Sequence, residues 1–184
     1  MTTQHGLRSS VARSAPWLGV HALILSVATG PLASQAAPPS PTMWYWHNWT
    51  DHDGVSHMTH CPVRNFDLKT MSKPAGPQWQ DRLKQGSAQV IFTVQPSHWN
   101  GAWHPDPKVQ WIIPLRGTWY VTAMDGTKVT MGPGDVSLGE DQMSRRDAQG
   151  RVGHFAGNVG DGPVELMVIQ TDEPPTTDQP CRFK

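Results

Sequence analysis

The sequence predicts a single all-β domain, either a sandwich or a barrel of short strands. Gly and Pro contribute 17 residues each and are spaced along the whole chain, which suits frequent turns between strands. Helical periodicity is nearly absent, and a short helix is expected only near residues 77–84. Asp125-Gly126 lies between two strand-like stretches and is a strong signal for a tight hairpin. Many short strands with frequent turn signals are typical of both all-β architectures.

The expected strands follow stretches rich in β-branched and aromatic residues. They cover residues 66–70, 88–95, 109–115, 118–123, 128–131, 135–138, 153–158 and 164–170. The chain is therefore divided into a signal peptide (1–36), an N-terminal lead-in (37–50), a β-barrel (51–171) and a polar, Pro-rich C-terminal tail (172–184).

The first 36 residues have the features of a secretory signal peptide. Arg8 and Arg13 precede an apolar run over residues 17–30, and small residues follow at 33–37. The run is shorter than the roughly 18 residues that suggest a transmembrane helix. We expect an exported protein, periplasmic or extracellular; the alternatives are a membrane anchor or a disordered tail on a cytosolic protein.

Charge narrows the class of partner. Once Arg8 and Arg13 are removed, the remaining chain is slightly acidic, with no basic patch and no run of like charge. This argues against nucleic acid and against an anionic membrane surface as partners. No later stretch is long and apolar enough for a membrane span.

The two cysteines, Cys61 and Cys181, lie near the edges of the mature domain. In an oxidising compartment they can pair and fasten the C-terminal tail to the N-terminal region. The alternative is two unrelated thiols. A structural zinc site is less favoured because the chain has no CxxC pair.

Residues that bind metals recur in the middle of the chain. His104 and Asp106 are two apart, so in a strand they point the same way. Gln110 follows after a turn into the next strand, and His154 belongs to another strand. Four nitrogen and oxygen groups can thus converge on one point in a barrel wide enough for one small ligand.

This spacing resembles the two sequence motifs of the cupin superfamily. The first family motif is His-x-His, three or four residues, Glu, six residues and Gly. Here Asp106 stands at the second His and Gln110 at the Glu, with Gly117 in place. The second motif has a Pro-Gly-Asp turn and ends in a His followed, after three residues, by Asn. The turn here is residues 133–135, and His154 precedes Asn158.

A group of small bacterial cupins is a closer match. Its members carry Asp-Gly-x-Ser-His, Trp-His-Pro-x-Pro-x-x-Gln, Gly-Pro-Gly-Asp-Val with an acidic pair, and Gly-His, in that order. This chain has these motifs at residues 53–57, 103–110, 132–136 and 153–154, with Glu140-Asp141 as the acidic pair. The match covers roughly residues 51–170. It implies a single-domain jelly-roll β-barrel of the cupin type.

The resemblance also implies a divalent metal at His104, Asp106, Gln110 and His154. Mixed imidazole and carboxylate ligands suit Fe, Mn, Co, Ni or Zn. Gln110 is neutral, so metal affinity should be lower than with Glu, and Asp106 decides whether the set is complete. In the alternative, His104 and Gln110 bond to each other and fill a polar core.

Two further charged residues are candidates for work on a substrate. Glu140 is a candidate general acid or base near the metal, and Arg145 is a candidate for binding a substrate carboxylate. The alternative for each is a solvated surface position.

Eight of the nine tryptophans follow the signal peptide, and four bracket the first motif. These four are Trp99, Trp103, Trp111 and Trp119. Aromatic walls are typical of small-ligand pockets, and such rings also serve core or inter-subunit packing. Residues 47–60 hold four histidines, which form either a second metal site or a polar segment over the barrel mouth.

Three functions remain open on the sequence alone. The first is a metal-dependent enzyme acting on a small organic molecule, with dioxygenase, isomerase or lyase chemistry. The second is a non-catalytic module that captures a small ligand. The third is a structural or partner-binding role with a filled barrel. Cupins commonly dimerise through sheet faces, so a homodimer is a further expectation.

Overall fold

The computed structural model describes residues 39–183. Over that range the chain forms eleven strands and no helix, which confirms the all-β prediction. The predicted signal peptide lies outside the described residues. Within residues 39–183, no helix has the length and apolarity to cross a bilayer.

The strands follow one another with short turns and loops. Their bounds are β1 Met43–Thr50, β2 Ser56–Val63, β3 Asp67–Lys69, β4 Gln78–Gln80, β5 Ala88–Gln95, β6 Gln110–Arg116, β7 Thr118–Ala123, β8 Lys128–Met131, β9 Ser137–Glu140, β10 His154–Val159 and β11 Val164–Thr171. The short helix expected near residues 77–84 is absent. Gln78–Gln80 instead pair with β3, and Gln80 donates a side-chain hydrogen bond to the Lys69 carbonyl (2.7 Å).

Six strands form the larger sheet, in the order β2-β1-β9-β6-β11-β5. All neighbours are antiparallel except β1 and β9, which run parallel. Met43–Thr50, predicted as part of the lead-in, is therefore an interior strand of this sheet. The predicted start of the barrel, at residue 51, comes directly after the end of β1. The aromatic and polar residues of β1 do not show the usual alternation of apolar and polar side chains, because both faces of this strand are covered.

The second sheet has three strands in the order β10-β7-β8, and it packs on one face of the larger sheet. The core between them consists of Met58, Ile112, Trp119, Val121, Ala123, Val129, Met131, Ala156, Val164 and Leu166. We call this face of the larger sheet the interior face. These two sheets are compatible with the predicted jelly-roll arrangement.

The opposite face of the larger sheet, which we call the tail face, is covered by the C-terminal segment. Cys181 and Phe183 pack there with Tyr45 and Leu138. The predicted disulfide is present between Cys61 and Cys181, 120 residues apart in sequence. Because side chains alternate along a strand, Tyr45 and His47 of β1 face the tail, and Trp46 between them faces inward.

Candidate functional site

The candidate site is a cavity between the two sheets, with a volume of ≈ 150 Å³. It is lined by Thr93, Gln95, Trp99, His104, Asp106, Gln110, Ile112, Trp119, His154, Ala156, Leu166 and Val168. One wall is polar and the rest is apolar, as in many small-ligand sites. The cavity brings together all four residues predicted as metal ligands: His104, Asp106, Gln110 and His154.

A backbone bridge places the first motif beside β10. His104 and His154 exchange backbone hydrogen bonds of 3.0 and 2.9 Å. Gly153 precedes the bridge with a φ of 70°, and a side chain there would collide with the His104 carbonyl. Only glycine suits this position, so the Gly-His pair has a structural cause.

Asp106 is buried at the floor of the cavity. Its Oδ1 accepts a hydrogen bond from Gln110 Nε2 (2.6 Å). Its Oδ2 has no hydrogen-bond partner within residues 39–183. The carboxylate rests against Gly139, where a Cβ atom would collide with it. A buried carboxylate oxygen without a partner is costly, so it marks a place where a ligand or a proton is needed.

Asp141 and His154 form the closest charged pair of the site. His154 Nδ1 lies 2.8 Å from Asp141 Oδ2 and 3.9 Å from Asp106 Oδ2. Asp141 Oδ1 accepts from the Asp106 backbone N–H (2.7 Å), and its Oδ2 also accepts from Asn48 Nδ2 (2.9 Å). Ligand atoms of Asp106, Asp141 and His154 all lie within 4.8 Å of one another, and all three residues are buried.

The shared burial pushes the pKa values of these groups apart. Burial and the charge of Asp141 raise the pKa of Asp106 to about 7. Burial also works against the charged form of Asp141, but the hydrogen bond from His154 outweighs it and lowers the pKa of Asp141. Burial likewise disfavours the imidazolium, yet the two carboxylates raise the pKa of His154 to about 9. These shifts favour the ionised form of Asp141 and the protonated form of His154, and they bring the pKa of Asp106 close to neutral pH.

The other two predicted ligands have different surroundings. Gln110 uses both ends of its amide, since its Oε1 accepts from Gln170 Nε2 (3.0 Å) while its Nε2 donates to Asp106. His104 is solvent-exposed, and its Nδ1 donates to the Ala102 carbonyl (2.6 Å). Its ring centroid is 4.7 Å from that of His154. His104 is not among the three residues whose ligand atoms lie within 4.8 Å of one another.

A second, smaller cavity of ≈ 10 Å³ adjoins the same residues. Asn48, Asp106 and Trp119 all line it. Asn48 Oδ1, Asp106 Oδ2 and Trp119 Nε1 are all buried without a partner in the described range. These three polar atoms therefore face one small space beside the candidate site.

Other predicted site residues are distributed over the domain. Trp99 and Trp119, predicted as substrate-binding residues, line the cavity. Trp103 instead lies near Phe155, with ring centroids 6.1 Å apart. Trp111 faces the tail and packs against Tyr45 (5.3 Å). Arg145 does not line the cavity; its backbone N–H donates to the Gly54 carbonyl (2.8 Å).

Glu140, predicted as a general acid or base, lies on the tail face. Its Oε2 accepts from His47 Nε2 (2.9 Å), because His47 Nδ1 is already an acceptor for the Cys181 N–H. Its Oε1 accepts from Arg182 (2.7 Å) and from the backbone and hydroxyl of Thr176 (2.6 and 2.9 Å). The carboxylate is fully enclosed by these partners, on the far side of the sheet from the cavity.

The histidine-rich segment has separate roles rather than one site. His57 lies between two carboxylates, with Nε2 2.8 Å from Asp51 and Nδ1 2.9 Å from Asp125. His60 stacks between Trp44 and Trp46. In the part of the chain that the structure describes, the only three-residue metal group found is the one at Asp106.

The sequence interpretation did not select Asp141 or Asn48 as site residues. Asp141 was noted only as the partner of Glu140 in an acidic pair. Consecutive side chains along a strand point to opposite faces of the sheet. The end of β9 therefore has to be known before Glu140 and Asp141 can be assigned to different faces. Asn48 was placed in the lead-in, and a lone Asn carries no signal of its own.

No protein-family model matches this chain, and no curated protein matches it. Among solved structures it is similar to the cupin domain of Cnp3 from Schizosaccharomyces pombe. The two are 14% identical, the match covers 71% of this chain and 84% of that chain, and the TM-score is 0.35. Similarity at this level gives no information about a ligand or an activity. The fold assignment rests on the strand pairing of this chain. The chain is an all-β domain whose buried Asp106, Asp141 and His154 could hold a metal ion.

Proposed function

We propose that this chain is an exported cupin-type protein that binds a small organic molecule in the interior cavity, beside a divalent metal at Asp106, Asp141 and His154. The single observation that carries the proposal is the Asp106 Oδ2 atom. It is buried, lacks a hydrogen-bond partner within residues 39–183, and lies near a second carboxylate and an imidazole. A cation at this point would give the oxygen a partner.

The charge and spacing of the three groups fit a metal. Two carboxylates face one imidazole, so the cluster carries excess negative charge unless Asp106 is protonated. Donor atoms separated by 2.8 and 3.9 Å are compatible with ligands at about 2 Å from one ion. Imidazole with carboxylates suits Fe, Mn, Co, Ni or Zn. Two of the four ligands predicted from sequence, Asp106 and His154, are retained in this proposal, and Asp141 is added. The other two, His104 and Gln110, lie near the metal without ligating it.

The remaining cavity residues support an enzyme of the class expected from sequence. A bound divalent metal polarises a substrate oxygen or lowers the pKa of a water. His104 donates its Nδ1 proton to the Ala102 carbonyl, so its Nε2 is the free nitrogen that can accept a proton from a substrate. Trp99 and Trp119 supply the apolar walls that exclude water. The alternative, a binding module without chemistry, would use the same walls and no metal.

Metal titration by calorimetry tests the proposal on protein without a His tag. We expect one equivalent of Mn²⁺, Co²⁺ or Zn²⁺ to bind, and Asp106→Asn or His154→Gln to weaken binding by at least about 10-fold. His52→Asn, at an exposed histidine, is the matched control and should bind as the parent does. Unchanged affinity in Asp106→Asn would refute the metal site and favour a protonated Asp106. If the metal-loaded protein catalyses no reaction of the small molecules that it binds, the function is binding without catalysis.

Export is supported by the disulfide, since such bonds persist in oxidising compartments. Mass spectrometry of the protein recovered from its native host tests this point. We expect a mature chain that begins near residue 37, with both cysteines oxidised. A chain that retains Arg8 and Arg13 and is found in the cytosol would contradict export.

A homodimer through β5 is the assembly that we propose. Val90, Phe92 and Val94 alternate on the outer side of this edge strand and are 54%, 72% and 62% exposed. Apolar rows of this kind mark interaction surfaces. Light scattering should give a dimer for the parent protein and a monomer for Phe92→Lys. A monomeric parent would contradict the proposal.

A further inference from the structure

A second cavity, which we call the aromatic pocket, lies on the tail face of the larger sheet. It has a volume of ≈ 160 Å³ and lies apart from the interior cavity. Eight of its nine lining residues are apolar or aromatic, among them Tyr45, Phe66 and Trp111. The ninth is Asp81. A pocket with one carboxylate and otherwise apolar walls has a definite chemical preference.

The polar tips of the aromatic residues are already in use. The Tyr45 hydroxyl donates to the Phe183 carbonyl and accepts from the Phe183 N–H, both at 3.0 Å. Trp111 Nε1 donates to Gln85 Oε1 (3.1 Å). Tyr45 and Trp111 also pack edge to face, with centroids 5.3 Å apart. The pocket therefore offers fixed ring surface, and it offers a ligand little hydrogen bonding from these rings.

Asp81 is the polar group that stays available. It is partly buried, and no hydrogen bond or ion pair joins it to another residue in the described range. The guanidinium of the neighbouring Arg82 bonds instead to Gln80 Oε1 (3.0 and 2.7 Å). A carboxylate at the edge of an apolar pocket, without a partner, attracts a cation more strongly than one in open water.

We propose that the aromatic pocket binds a small organic cation of the quaternary ammonium class. Such a cation needs no hydrogen-bond acceptor, fits between aromatic rings and is attracted by the ring faces and by a nearby carboxylate. A cavity of about 150 Å³ holds a molecule the size of benzene, and a trimethylammonium group is of similar size. Trp111, which the sequence marks as a substrate-binding residue, thus belongs to this second site. The proposal is independent of the metal.

Choline and its neutral carbon analogue, 3,3-dimethylbutan-1-ol, test this preference directly. The two molecules have nearly the same shape, so a difference in affinity reports the charge. We expect choline to bind about 10-fold more tightly, as measured by calorimetry and by tryptophan fluorescence. Asp81→Asn should remove that difference. Asp161→Asn, at a side chain that is 97% exposed, is the matched control and should preserve it.

The outcomes separate this site from the interior cavity. Choline binding that is unchanged in Asp106→Asn and weakened in Asp81→Asn supports the proposal. Equal binding of the two molecules, or no binding of either at millimolar concentration, overturns it. Binding that is lost in Asp106→Asn and retained in Asp81→Asn overturns it as well, since the cation then occupies the interior cavity. Urea unfolding of Asp81→Asn should match the parent, because this side chain has no partner to lose.

Discussion

Glu140 and Asp141 are adjacent in the chain, both are fully buried, and they belong to regions of opposite character. Glu140 lies on the tail face, where His47, Thr176 and Arg182 occupy both of its oxygens. Asp141 lies on the interior side, where it orients His154 next to a carboxylate whose Oδ2 lacks a partner in the described residues. A one-residue step along an alternating strand separates the two regions.

The difference between the regions lies in how completely their polar groups are satisfied. In the tail-face cluster the Arg182 guanidinium bonds to both Glu140 and Glu173, and both oxygens of Glu140 have donors. The interior cluster sets two carboxylates against one imidazole. A saturated cluster fastens the structure, whereas an unsaturated buried group indicates a ligand, an ion or a proton. We therefore assign stability to the first region and binding to the second.

The largest expected effect is on the tail face, from loss of the disulfide. The bond between Cys61 and Cys181 closes a loop with a sequence separation of 120 residues. In the chain-entropy model, a double Cys→Ala variant should lose about 4 kcal/mol of unfolding free energy. Urea unfolding of the parent and the variant measures this, and metal affinity of the folded variant should be unchanged. A variant as stable as the parent would contradict the fastening role.

Arg182→Met should be the next most damaging change on this face. It removes the cation that bonds to Glu140 Oε1 (2.7 Å) and Glu173 Oε2 (3.1 Å). Because Arg182 is 14% exposed, we expect a loss of about 2–3 kcal/mol, somewhat below the full cost of breaking a buried pair. Lys108→Met, which breaks an exposed pair with Asp172, is the control and should cost at most about 1 kcal/mol. Equal losses would contradict the distinction.

The all-β class, the Asp125-Gly126 hairpin and the cysteine pair could be predicted from the sequence. So could the proximity of four residues that line one cavity: His104, Asp106, Gln110 and His154. These follow from local turn chemistry and from motif spacing. The sequence did not predict that Glu140 and Asp141 lie on opposite faces of the larger sheet, because that depends on where β9 ends. It also missed β1, whose two covered faces remove the alternation that marks a half-buried strand. Trp111, predicted as a substrate-binding residue, packs against Tyr45 on the tail face, and its direction could not be predicted without the strand register.

On the interior side, Asn48→Ala should weaken metal binding by about 10-fold, since Asn48 is a positioning residue for Asp141. Its Nδ2 donates to Asp141 Oδ2 (2.9 Å). Asn100→Ala, at an exposed asparagine that is not among the cavity-lining residues, is the control and should bind metal as the parent does. Calorimetric titration compares the three proteins. Full affinity in Asn48→Ala would mean that Asp141 needs no support from β1.

A smaller, pH-dependent effect is expected at His57, which belongs to neither cluster. Burial would lower the pKa of His57, but hydrogen bonds to Asp51 and Asp125 outweigh it and raise that pKa above 6.5. The raised pKa means that the stabilisation is full below pH 6.5 and is lost as the pH rises through the folded-state value. At the acid end, the pKa of Asp51 is lowered from its usual 3.8. The stabilisation from the contact between His57 and Asp51 therefore persists until the pH falls below that value.

Urea unfolding of the parent and of His57→Gln between pH 4 and pH 9 measures that contribution. The parent should be more stable by about 1 kcal/mol or less near pH 5, and the gap should close towards pH 9. A gap that widens as the pH rises would contradict the assignment of a doubly protonated ring.

The adjacent carboxylates provide the most direct test of the account. Glu140→Gln and Asp141→Asn should each be characterised by urea unfolding and by metal titration under conditions where the protein is folded. The account predicts that Glu140→Gln loses about 2–4 kcal/mol of stability and binds metal as the parent does. It predicts that Asp141→Asn loses at least about 10-fold in metal affinity. Metal binding that survives in Asp141→Asn, or disappears in folded Glu140→Gln, would contradict the division between a binding side and a fastening side.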